Sequence, residues 1–576
     1  GEEDLAACDS CKATTNDEQC DMSKATDDDG DGYSEYEGDC DDADSNRSPG
    51  IAEVPGDGID NDCNGITDAD FDGDGYTVDD GDCDDNNPLV SPGLSENCTD
   101  GIDNNCDGVT DTDDPICPTP CELAAQNRSS VGCVYYAVDT NPFHARIPGD
   151  YAVAISNIDA HKTANVVIEV NDGGTWNPVA NGSFTVAPMD LQTVVLDHRY
   201  IAGSAIYAGG AYRITSDLPV IAYQFNPLDG SQSFLSDASL LLPKSALDTH
   251  YLVPGWPNGP ADQASSSGHP VHIQIAAAAA TEVRVTVAAD TAAGNGVDAL
   301  SAGSMGTYNL QEGDFLQLTI KNWMDSFSGT TVESDGPVAV FTDNDCSNVP
   351  TDAQYCCCEH LEEQVFGLQT WGKKYVASRT PLRGSEPTVW QILASEAETT
   401  ITFSASTEIT GLPASLTLNR GEEEIMTVSG TANNPGDFLV SADKPILVVQ
   451  YMVGAFMVQQ NGSDGDPSMV QAVPVEQFLD HYVVLVPDTW VNNYLVLTRS
   501  HGQMVSLDGT PVGSGWVPVG PSLDNPIYEV ARVSADHGIH VLEGAGPFGV
   551  IVVGFDQYDS YAYPGGLDQQ VINPIE

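Results

Sequence analysis

Basic residues are scarce in this chain of 576 residues: 19 Lys and Arg stand against 87 Asp and Glu, giving a formal net charge of −68. A surface this acidic repels phosphate backbones and anionic lipid headgroups, which argues against a nucleic-acid or membrane-surface partner. Hydrophobic residues nevertheless make up 41% of the chain, too many for a disordered polyanion. We therefore expect a folded protein whose carboxylates are partly neutralised by bound cations.

Long hydrophobic runs are also missing. The longest, residues 446–458, is interrupted by Gln450 and is too short to span a bilayer, so no membrane insertion is expected. The start at Gly1 lacks Met, a basic region and an apolar region, which predicts that a signal peptide has been removed; a lipidated cysteine before Gly1 is left open. Fifteen cysteines indicate an oxidising compartment, and their odd number leaves one thiol free, paired between chains or paired outside this sequence.

Familiar catalytic motifs are absent as well. The sequence has no HExxH, no P-loop, no GxGxxG after a strand and no GxSxG elbow. A non-enzymatic protein is therefore expected. The competing hypothesis is a secreted hydrolase with a Ca²⁺-stabilised accessory region, because Ser, His and Asp that are distant in sequence can converge in space.

The acidic residues concentrate in residues 1–120, which hold 37 of the 87 acidic side chains and three of the 19 basic ones. This segment contains a tandem duplication with a period of 43 residues. The repeated pairs are Gly32-Tyr33 with Gly75-Tyr76, Asp39-Cys40-Asp41-Asp42 with Asp82-Cys83-Asp84-Asp85, Pro49-Gly50 with Pro92-Gly93, and Gly58-Ile59-Asp60-Asn61 with Gly101-Ile102-Asp103-Asn104.

Each copy contains two loops of the form D-x-[DN]-x-[DN]-G, whose alternating oxygen ligands and final glycine suit Ca²⁺. In the first and third loops the predicted ligands are Asp27, Asp29, Asp31, the carbonyl of Tyr33 and Asp39, then Asp70, Asp72, Asp74, the carbonyl of Tyr76 and Asp82. In the second and fourth loops they are Asp60, Asp62, Asn64 and Asp68, then Asp103, Asn105, Asp107 and Asp111.

The number of flexible oxygen ligands favours Ca²⁺ over Mg²⁺, and the singly spaced cysteines disfavour Zn²⁺. The loops lack the Glu at position 12 and the flanking helices of an EF-hand. We therefore predict EF-like loops in a mostly irregular segment held by disulfides, with Cys40–Cys63 as the expected pair in the first copy. The alternative is a solvated acidic linker. Together these residues resemble the metal-binding motif repeats of MopE-like bacterial surface proteins, although Pro55 stands where the second copy has Cys98.

Period-2 alternation begins near Val134 and predicts an all-β fold of many short strands, including residues 166–170, 283–287 and 401–403. Two segments, 236–247 and 359–370, are weakly helical in pattern. A fainter repeat places a proline at the start of an apolar strand four times. The prolines are Pro219, Pro337, Pro445 and Pro547. The predicted organisation is an extension at 1–26, acidic repeats at 27–120, and tandem β-sandwich-like modules at 121–255, 256–375, 376–487 and 488–576.

The second module carries a more specific pattern. Residues 338–376 run from Val-Ala-Val-Phe through Cys346 and Cys358-Glu-His-Leu-Glu-Glu-Gln to Trp-Gly-Lys-Lys-Tyr-Val, and they resemble the IgGFc-binding protein N-terminal domain family. The resemblance extends over residues 121–576. It implies a Cys346–Cys358 disulfide, with Glu359 replacing the usual Asp. Cys356 and Cys357 are left as a vicinal pair, an interchain pair or one free thiol.

We interpret the histidines near this pattern as structural or solvent-exposed residues. His360, with Glu359, Glu362 and Glu363, is interpreted as a brace of the disulfide loop rather than as a metal site. Two further pairs are expected to be exposed on loops: His269 with His272, and His537 with His540.

The expected function is that of a Ca²⁺-binding structural or adhesion protein, located outside the cell or on the surface of a Gram-negative bacterium. Its expected partners are copies of itself, in a filament or lattice, and a surface protein or glycan. Immunoglobulin or mucin binding belongs to animal members of the family and is not transferred, because a shared fold does not fix the ligand.

Overall fold

The computed structural model describes residues 22–54, 57–65, 70–140, 149–228, 235–258, 269–322, 324–351, 358–458, 464–521 and 526–574. The chain forms two compact units, Gly1–Pro120 and Cys121–Glu576, called unit 1 and unit 2 here. Strands account for 44% of the structure and helices for 6%, which confirms the all-β prediction. Among the described residues, no helix combines the length and apolar character needed to cross a membrane.

Unit 1 is irregular and nearly coreless. Its regular elements are 3₁₀ turns at Met22–Ala25, Glu35–Glu37, Val78–Asp80 and Asp111–Asp113. Its buried apolar residues, among those described, are Ala25, Val90 and Cys117. The disulfides among its described residues are the predicted Cys40–Cys63 bond, its counterpart Cys83–Cys106, and Cys98–Cys117 in the second copy. With so little apolar burial, order in this unit must come from cross-links and polar contacts.

Unit 2 is built from antiparallel strands. Its α-helices are α1 (Pro120–Gln126, at the unit boundary) and α2 (Ala455–Val458), and its 3₁₀ turns are Lys244–Ala246, Leu368–Thr370 and Val475–Gln477. The first fifteen strands are β1 Gly132–Ala137, β2 Ala152–Asn157, β3 Ala164–Asp172, β4 Thr175–Val186, β5 Leu191–Val195, β6 Ala205–Tyr207, β7 Tyr212–Asn226, β8 Asp237–Leu240, β9 Asp248–Leu252, β10 Val271–Ala277, β11 Thr281–Thr286, β12 Met305–Leu310, β13 Phe315–Thr319, β14 Thr331–Ser347 and β15 Glu359–Gln364. The remaining strands are β16 Lys374–Ala377, β17 Thr388–Ala394, β18 Thr399–Ser404, β19 Ser415–Leu418, β20 Glu423–Val428, β21 Phe438–Ala442, β22 Ile446–Tyr451, β23 Met469–Gln471, β24 Leu479–Val486, β25 Asn492–Ser500, β26 Val505–Leu507, β27 Thr510–Pro511, β28 Val517–Val519, β29 Tyr528–Ser534, β30 Gly538–Asp556 and β31 Asp559–Pro564.

The strands form five sheets. Their orders are β4-β3-β7-β2-β5 with β1 and β8 on β7; β12-β11-β14-β10-β13-β6 with β9 and β15 on β14; β16-β21-β18-β19; β20-β17-β22-β23; and β27-β26-β30-β25-β29-β28 with β24 and β31 on β30. The third and fourth sheets share one core, in which Phe438 and Ile401 of one pack with Trp390 and Ile392 of the other. This face-to-face packing is that of a β-sandwich.

One tyrosine contact recurs in all four modules. The Tyr135 hydroxyl donates to the carbonyl of Val220 at 2.5 Å, directly after Pro219. The equivalent bonds follow the other three prolines: Tyr251 to Val338 at 2.7 Å, Tyr375 to Ile446 at 2.5 Å, and Tyr482 to Phe548 at 2.5 Å. The modules therefore share a structural plan as well as a sequence pattern.

For three of the four tyrosines, the strand that carries the tyrosine pairs with the long strand that contains the proline: β1 with β7, β9 with β14 and β24 with β30. Consequently β9, inside the predicted range 121–255, pairs with β14. Likewise β24, inside the predicted range 376–487, pairs with β30.

Two local expectations were wrong. Residues 236–247 and 359–370 contain β8 and β15 followed by 3₁₀ turns, not helices, because their polar side chains are buried against neighbouring strands. The second wrong expectation concerns the repeated proline. It was expected at the start of a strand, but in three modules it lies inside a continuous strand. In β14 the register with β9 shifts between Glu333 and Val338, so Pro337 falls where no ladder bond is required.

Candidate functional site

The first aspartate of each odd-numbered acidic loop closes its turn. Asp27 accepts hydrogen bonds from the backbone N–H groups of Gly30 at 2.6 Å and Gly32 at 3.0 Å. Asp70, 43 residues later, accepts from the N–H groups three and five residues onward at 2.6 and 3.0 Å. Gly32 has a φ of +106°, which residues with a side chain rarely adopt, so the glycine is required by the turn.

Three carboxylates of the first loop face one another. Ligand oxygens of Asp29, Asp31 and Asp39 all lie within 4.8 Å of each other. One oxygen of each accepts a backbone N–H, from Asp31 at 3.1 Å, Tyr33 at 3.0 Å and Asp41 at 2.8 Å respectively. The second oxygen of each, Oδ2, is buried and has no hydrogen-bond partner within the described part of the chain.

The third loop repeats this arrangement. Asp72, Asp74 and Asp82 each direct Oδ1 to a backbone N–H, at 3.1, 3.0 and 2.9 Å. Each again keeps Oδ2 buried and unpartnered among the described residues. Buried carboxylate oxygens are normally satisfied. Two copies with the same three unsatisfied oxygens therefore fit a hard cation bound by oxygen ligands.

The electrostatics of these carboxylates agree with that fit. Burial raises the pKa of Asp39, and the negative charges of Asp31 and Asp42 raise it further. The pKa of Asp82 is raised by burial and by its neighbouring aspartates in the same way. A divalent cation held by these oxygens would reverse the effect and favour the ionised form.

One further pair of candidate ligands was not predicted from the sequence. Asp42 lies with Asp27 and Asp29, with ligand oxygens within 4.8 Å. Its counterpart Asp85 keeps a buried Oδ2 without a partner among the described residues. The signal was available, because the repeated Asp-Cys-Asp-Asp ends on these two residues.

In the second loop, Asp60 closes the turn by accepting from Asn64 N at 3.0 Å and Gly65 N at 2.9 Å. Ligand oxygens of Asp60, Asp62 and Glu53 lie within 4.8 Å of each other. Glu53 was not predicted; its Oε2 is buried and unpartnered among the described residues. The predicted ligand Asp68 lies outside the described residues.

The fourth loop differs from the second in the hydrogen bonds that its acidic side chains accept. Asp103 accepts from Asp107 N at 3.2 Å, as expected for a closed turn. Glu96, the counterpart of Glu53, accepts from the backbone N–H of Asn104 and of Asp111, both at 2.9 Å. Two predicted ligands have oxygens engaged by backbone groups: Asn105 Oδ1 accepts from Asp107 N at 3.0 Å, and Asp111 Oδ1 accepts from Gly101 N at 3.0 Å.

The two tyrosines predicted to supply carbonyl ligands also pack on the repeated Pro-Gly pair. A Cβ added to Gly50 would lie 3.4 Å from the Tyr33 hydroxyl, and one added to Gly93 would lie 2.5 Å from that of Tyr76. The glycines of this pair therefore leave room for the phenol ring.

In unit 2 the residues of the second module's family-like pattern contribute to a buried polar layer. Thr319, His272, Asp343 and Glu362 pair across β13, β10, β14 and β15 and so lie on one face of the sheet. The predicted Cys346–Cys358 disulfide is formed next to it. Cys356 and Cys357 lie outside the described residues.

The side chains interpreted as a brace are fully buried. His360 Nδ1 lies 2.8 Å from the carbonyl of Asn344, and its Nε2 lies 3.0 Å from Thr140 Oγ1. Glu362 accepts from Thr140 at 2.6 Å, and Glu363 Oε1 accepts from Gln471 N at 3.3 Å. These contacts join β15 to the first and third modules.

One expectation about histidines was wrong. His272 is 0% exposed within β10 and His269 is 6% exposed. The Gly-containing segment suggests a loop when only the sequence is considered. In β10, however, His272 and Gln274 alternate with Ile273 and Ile275. The two polar side chains therefore lie on one face of the strand, between modules, and the two isoleucines pack in a core. His537 is exposed as expected, whereas the expectation was wrong for His540, which lies half-buried on the strand β30.

The buried carboxyls predict a pH dependence for unit 2. Burial raises the pKa of Asp237, Glu359, Glu362 and Glu363 well above the ordinary range. At a pH above the ordinary pKa range of carboxyl groups, these four groups are ionised in the unfolded chain but keep their protons in the folded chain. The free energy of unfolding therefore falls as the pH rises. In chelator-treated protein, we expect the urea midpoint to increase as pH is lowered from about 8.5 to about 6.5.

All seven Trp lie beyond residue 120, so Trp fluorescence follows unit 2 alone. Glu359→Gln removes one ionisable group. It should reduce the pH dependence of the free energy of unfolding by up to about 1.4 kcal/mol per pH unit. A midpoint that stays constant or falls on acidification would contradict this assignment.

Comparisons with known proteins agree with the two units. The family described as "Putative metal-binding motif", whose label refers to MopE and copper, matches residues 39–69 and 82–112, one segment in each copy of the repeat. Among curated proteins, none matches this chain. The family described as "IgGFc binding protein" matches residues 237–554. That match spans more than half of the chain, so the chain belongs to the IgGFc binding protein family and is a secreted or surface binding protein with a metal-binding segment.

Proposed function

We propose that this protein is a Ca²⁺-dependent extracellular scaffold or adhesion protein, in which unit 1 holds Ca²⁺ and links neighbouring subunits while unit 2 supplies contact surfaces. The observation that carries the proposal is the duplicated set of buried, unpartnered Oδ2 atoms at Asp29, Asp31 and Asp39 and at their counterparts.

The donor set favours Ca²⁺ over copper. Every one of the eleven histidines lies at residue 144 or beyond, so the acidic repeats contain no imidazole. The cysteines described in unit 1 are all in disulfides and offer no thiolate. Copper prefers imidazole and sulfur ligands, whereas carboxylate and carbonyl oxygens suit Ca²⁺.

Charge and sheet edges support cation-dependent association. Subunits with a net charge of −68 repel one another unless cations neutralise the acidic segment. In the described part of unit 2, the strands β12, β19 and β28 each pair on one side only, and such edges are natural sites for pairing between chains. Contacts between unlike faces propagate into open arrays when the geometry does not close.

The test is electron microscopy and sedimentation of the full chain with Ca²⁺ and after chelation. Filaments or lattices that shorten or dissolve on chelation are expected. Asp29→Asn/Asp72→Asn should assemble poorly at Ca²⁺ concentrations that suffice for the wild type, whereas Asp44→Asn, outside the ligand sets, should assemble normally. A monodisperse monomer at high concentration, with Ca²⁺ present and disulfides intact, would contradict self-assembly.

A further inference from the structure

A second cluster of metal-ligating side chains lies in unit 2, separate from the acidic loops. His272, Asp343 and Asp345 each offer a ligand atom within 4.8 Å of the others. They are 0%, 0% and 2% exposed. Asp343 and Asp345 alternate along β14, so both point to one face, and His272 on β10 pairs directly with Asp343. The sheet register therefore brings the three groups together.

Two of the three ligands, His272 and Asp343, are each held by their other polar atom. His272 Nδ1 lies 2.9 Å from Thr319 Oγ1, which leaves Nε2 facing the carboxylates. Asp343 Oδ1 accepts from Gln274 Nε2 at 2.6 Å. Its Oδ2 is fully buried and has no hydrogen-bond partner within the described residues. Metal-binding histidines and carboxylates are oriented in this way, by hydrogen bonds to the atom that does not bind the ion.

One ligand-to-ligand distance is close to the distance expected around a small divalent ion. His272 Nε2 and Asp345 Oδ1 lie 3.1 Å apart. Two ligands of a tetrahedral Zn²⁺, each about 2.0–2.2 Å from the ion, lie about 3.4 Å from each other. One imidazole and two carboxylates also neutralise the charge of the ion inside a buried layer, where a net charge is costly.

We propose that His272, Asp343 and Asp345 form a binding site for a divalent transition-metal ion of the Zn²⁺ class, distinct from the Ca²⁺ loops of unit 1. Three protein ligands leave a fourth position for water. Because β10 and β14 carry the ligands and β15 lies beside them, the ion stabilises the junction where Glu362 and His360 contact Thr140 of the first module. The competing state is an ion pair in which His272 is protonated and no metal binds.

The test uses full-length protein stripped with chelator and then saturated with Ca²⁺ to fill the acidic loops. Co²⁺ is the probe, because its visible d–d absorption reports a tetrahedral site. The wild type should bind about one equivalent, with Zn²⁺ displacing it. His272→Gln and Asp343→Asn should weaken binding at least about tenfold. His540→Gln, which removes a half-buried His–Asp pair of 2.7 Å elsewhere in unit 2, should bind like the wild type.

A second measurement distinguishes the loss of a metal ligand from misfolding of the variant. Zn²⁺ should raise the unfolding midpoint of unit 2, followed by Trp fluorescence, in the wild type and in His540→Gln but not in the ligand variants. Thr319→Val keeps all three ligands and should weaken Zn²⁺ binding about tenfold through loss of the bond to His272. No uptake of Co²⁺ by the Ca²⁺-saturated wild type, or equal uptake by the ligand variants, would overturn the proposal.

Discussion

Chelation of Ca²⁺ is expected to expand unit 1 while unit 2 stays folded. The described part of unit 1 buries Ala25, Val90 and Cys117 as its apolar residues, so without cations the repulsion among its carboxylates is opposed by disulfides and polar contacts with little apolar burial. At free Ca²⁺ about 100-fold above the dissociation constant, bound ions stabilise a site by about 2.7 kcal/mol. Backbone amides of the loops should therefore exchange about 100-fold faster after chelation.

Hydrogen exchange followed by mass spectrometry measures this directly. Peptides covering the first and third loops should lose protection, and peptides covering β18 should not change. Asp72→Asn in the presence of Ca²⁺ should reproduce the loss in the third loop alone. Equal protection of the loops with and without Ca²⁺ would mean that disulfides and polar contacts order the unit without the ion.

Replacing Arg379 by Met should destabilise unit 2 by about 3–5 kcal/mol, because it breaks the buried ion pair between the Arg379 guanidinium and Glu386. Arg379 is 2% exposed and donates to Glu386 Oε1 at 3.0 Å and to the carbonyl of Pro435 at 2.9 Å. Burial lowers the pKa of Arg379 to about 10, while the charge of Glu386 opposes this shift. Its carbonyl accepts from Arg532 of β29, so the residue also connects the third and fourth modules.

Arg284→Met is the matched control. Arg284 forms ion pairs with Glu282 and Asp335, each at 3.0 Å, but all three groups are partly exposed. Exposed pairs contribute at most about 1 kcal/mol. Urea unfolding followed by Trp fluorescence compares the two variants, and similar losses in both would contradict the importance given to the Arg379 network.

The acidic loops were predictable because their chemistry is local. The spacing from Asp27 to Gly32 sets the turn, the carboxylate positions and the glycine within six consecutive residues. Glu53 and Asp42 were missed because they approach the loops from outside the D-x-D-x-D-G run. Their approach depends on the Cys40–Cys63 cross-link and on backbone contacts such as Glu53 with Asp62 N at 2.8 Å.

Period-2 alternation in the sequence predicted the all-β fold class, but it did not predict the buried polar layer of unit 2. Residues 359–364 contain three Glu and one His, and the pattern of residues 359–370 is weakly helical when the segment is taken alone. In the structure they form β15, buried on both sides, with Glu363 contacting Gln471 and Glu362 contacting Gln224 of other modules. His272 was misplaced for the same reason. Burial of polar strands depends on which modules meet, and no local pattern encodes that contact.

The central claim is that the acidic repeats are Ca²⁺ sites, and calorimetric titration of the chelator-treated full chain tests it most directly. We expect uptake of about four Ca²⁺ ions below the millimolar range. Asp72→Asn should weaken one site, and Asp44→Asn, whose carboxylate accepts from Asn46 Nδ2 at 2.9 Å, should change the isotherm less. Absence of Ca²⁺ uptake below the millimolar range, or equal effects of the two substitutions, would contradict the account.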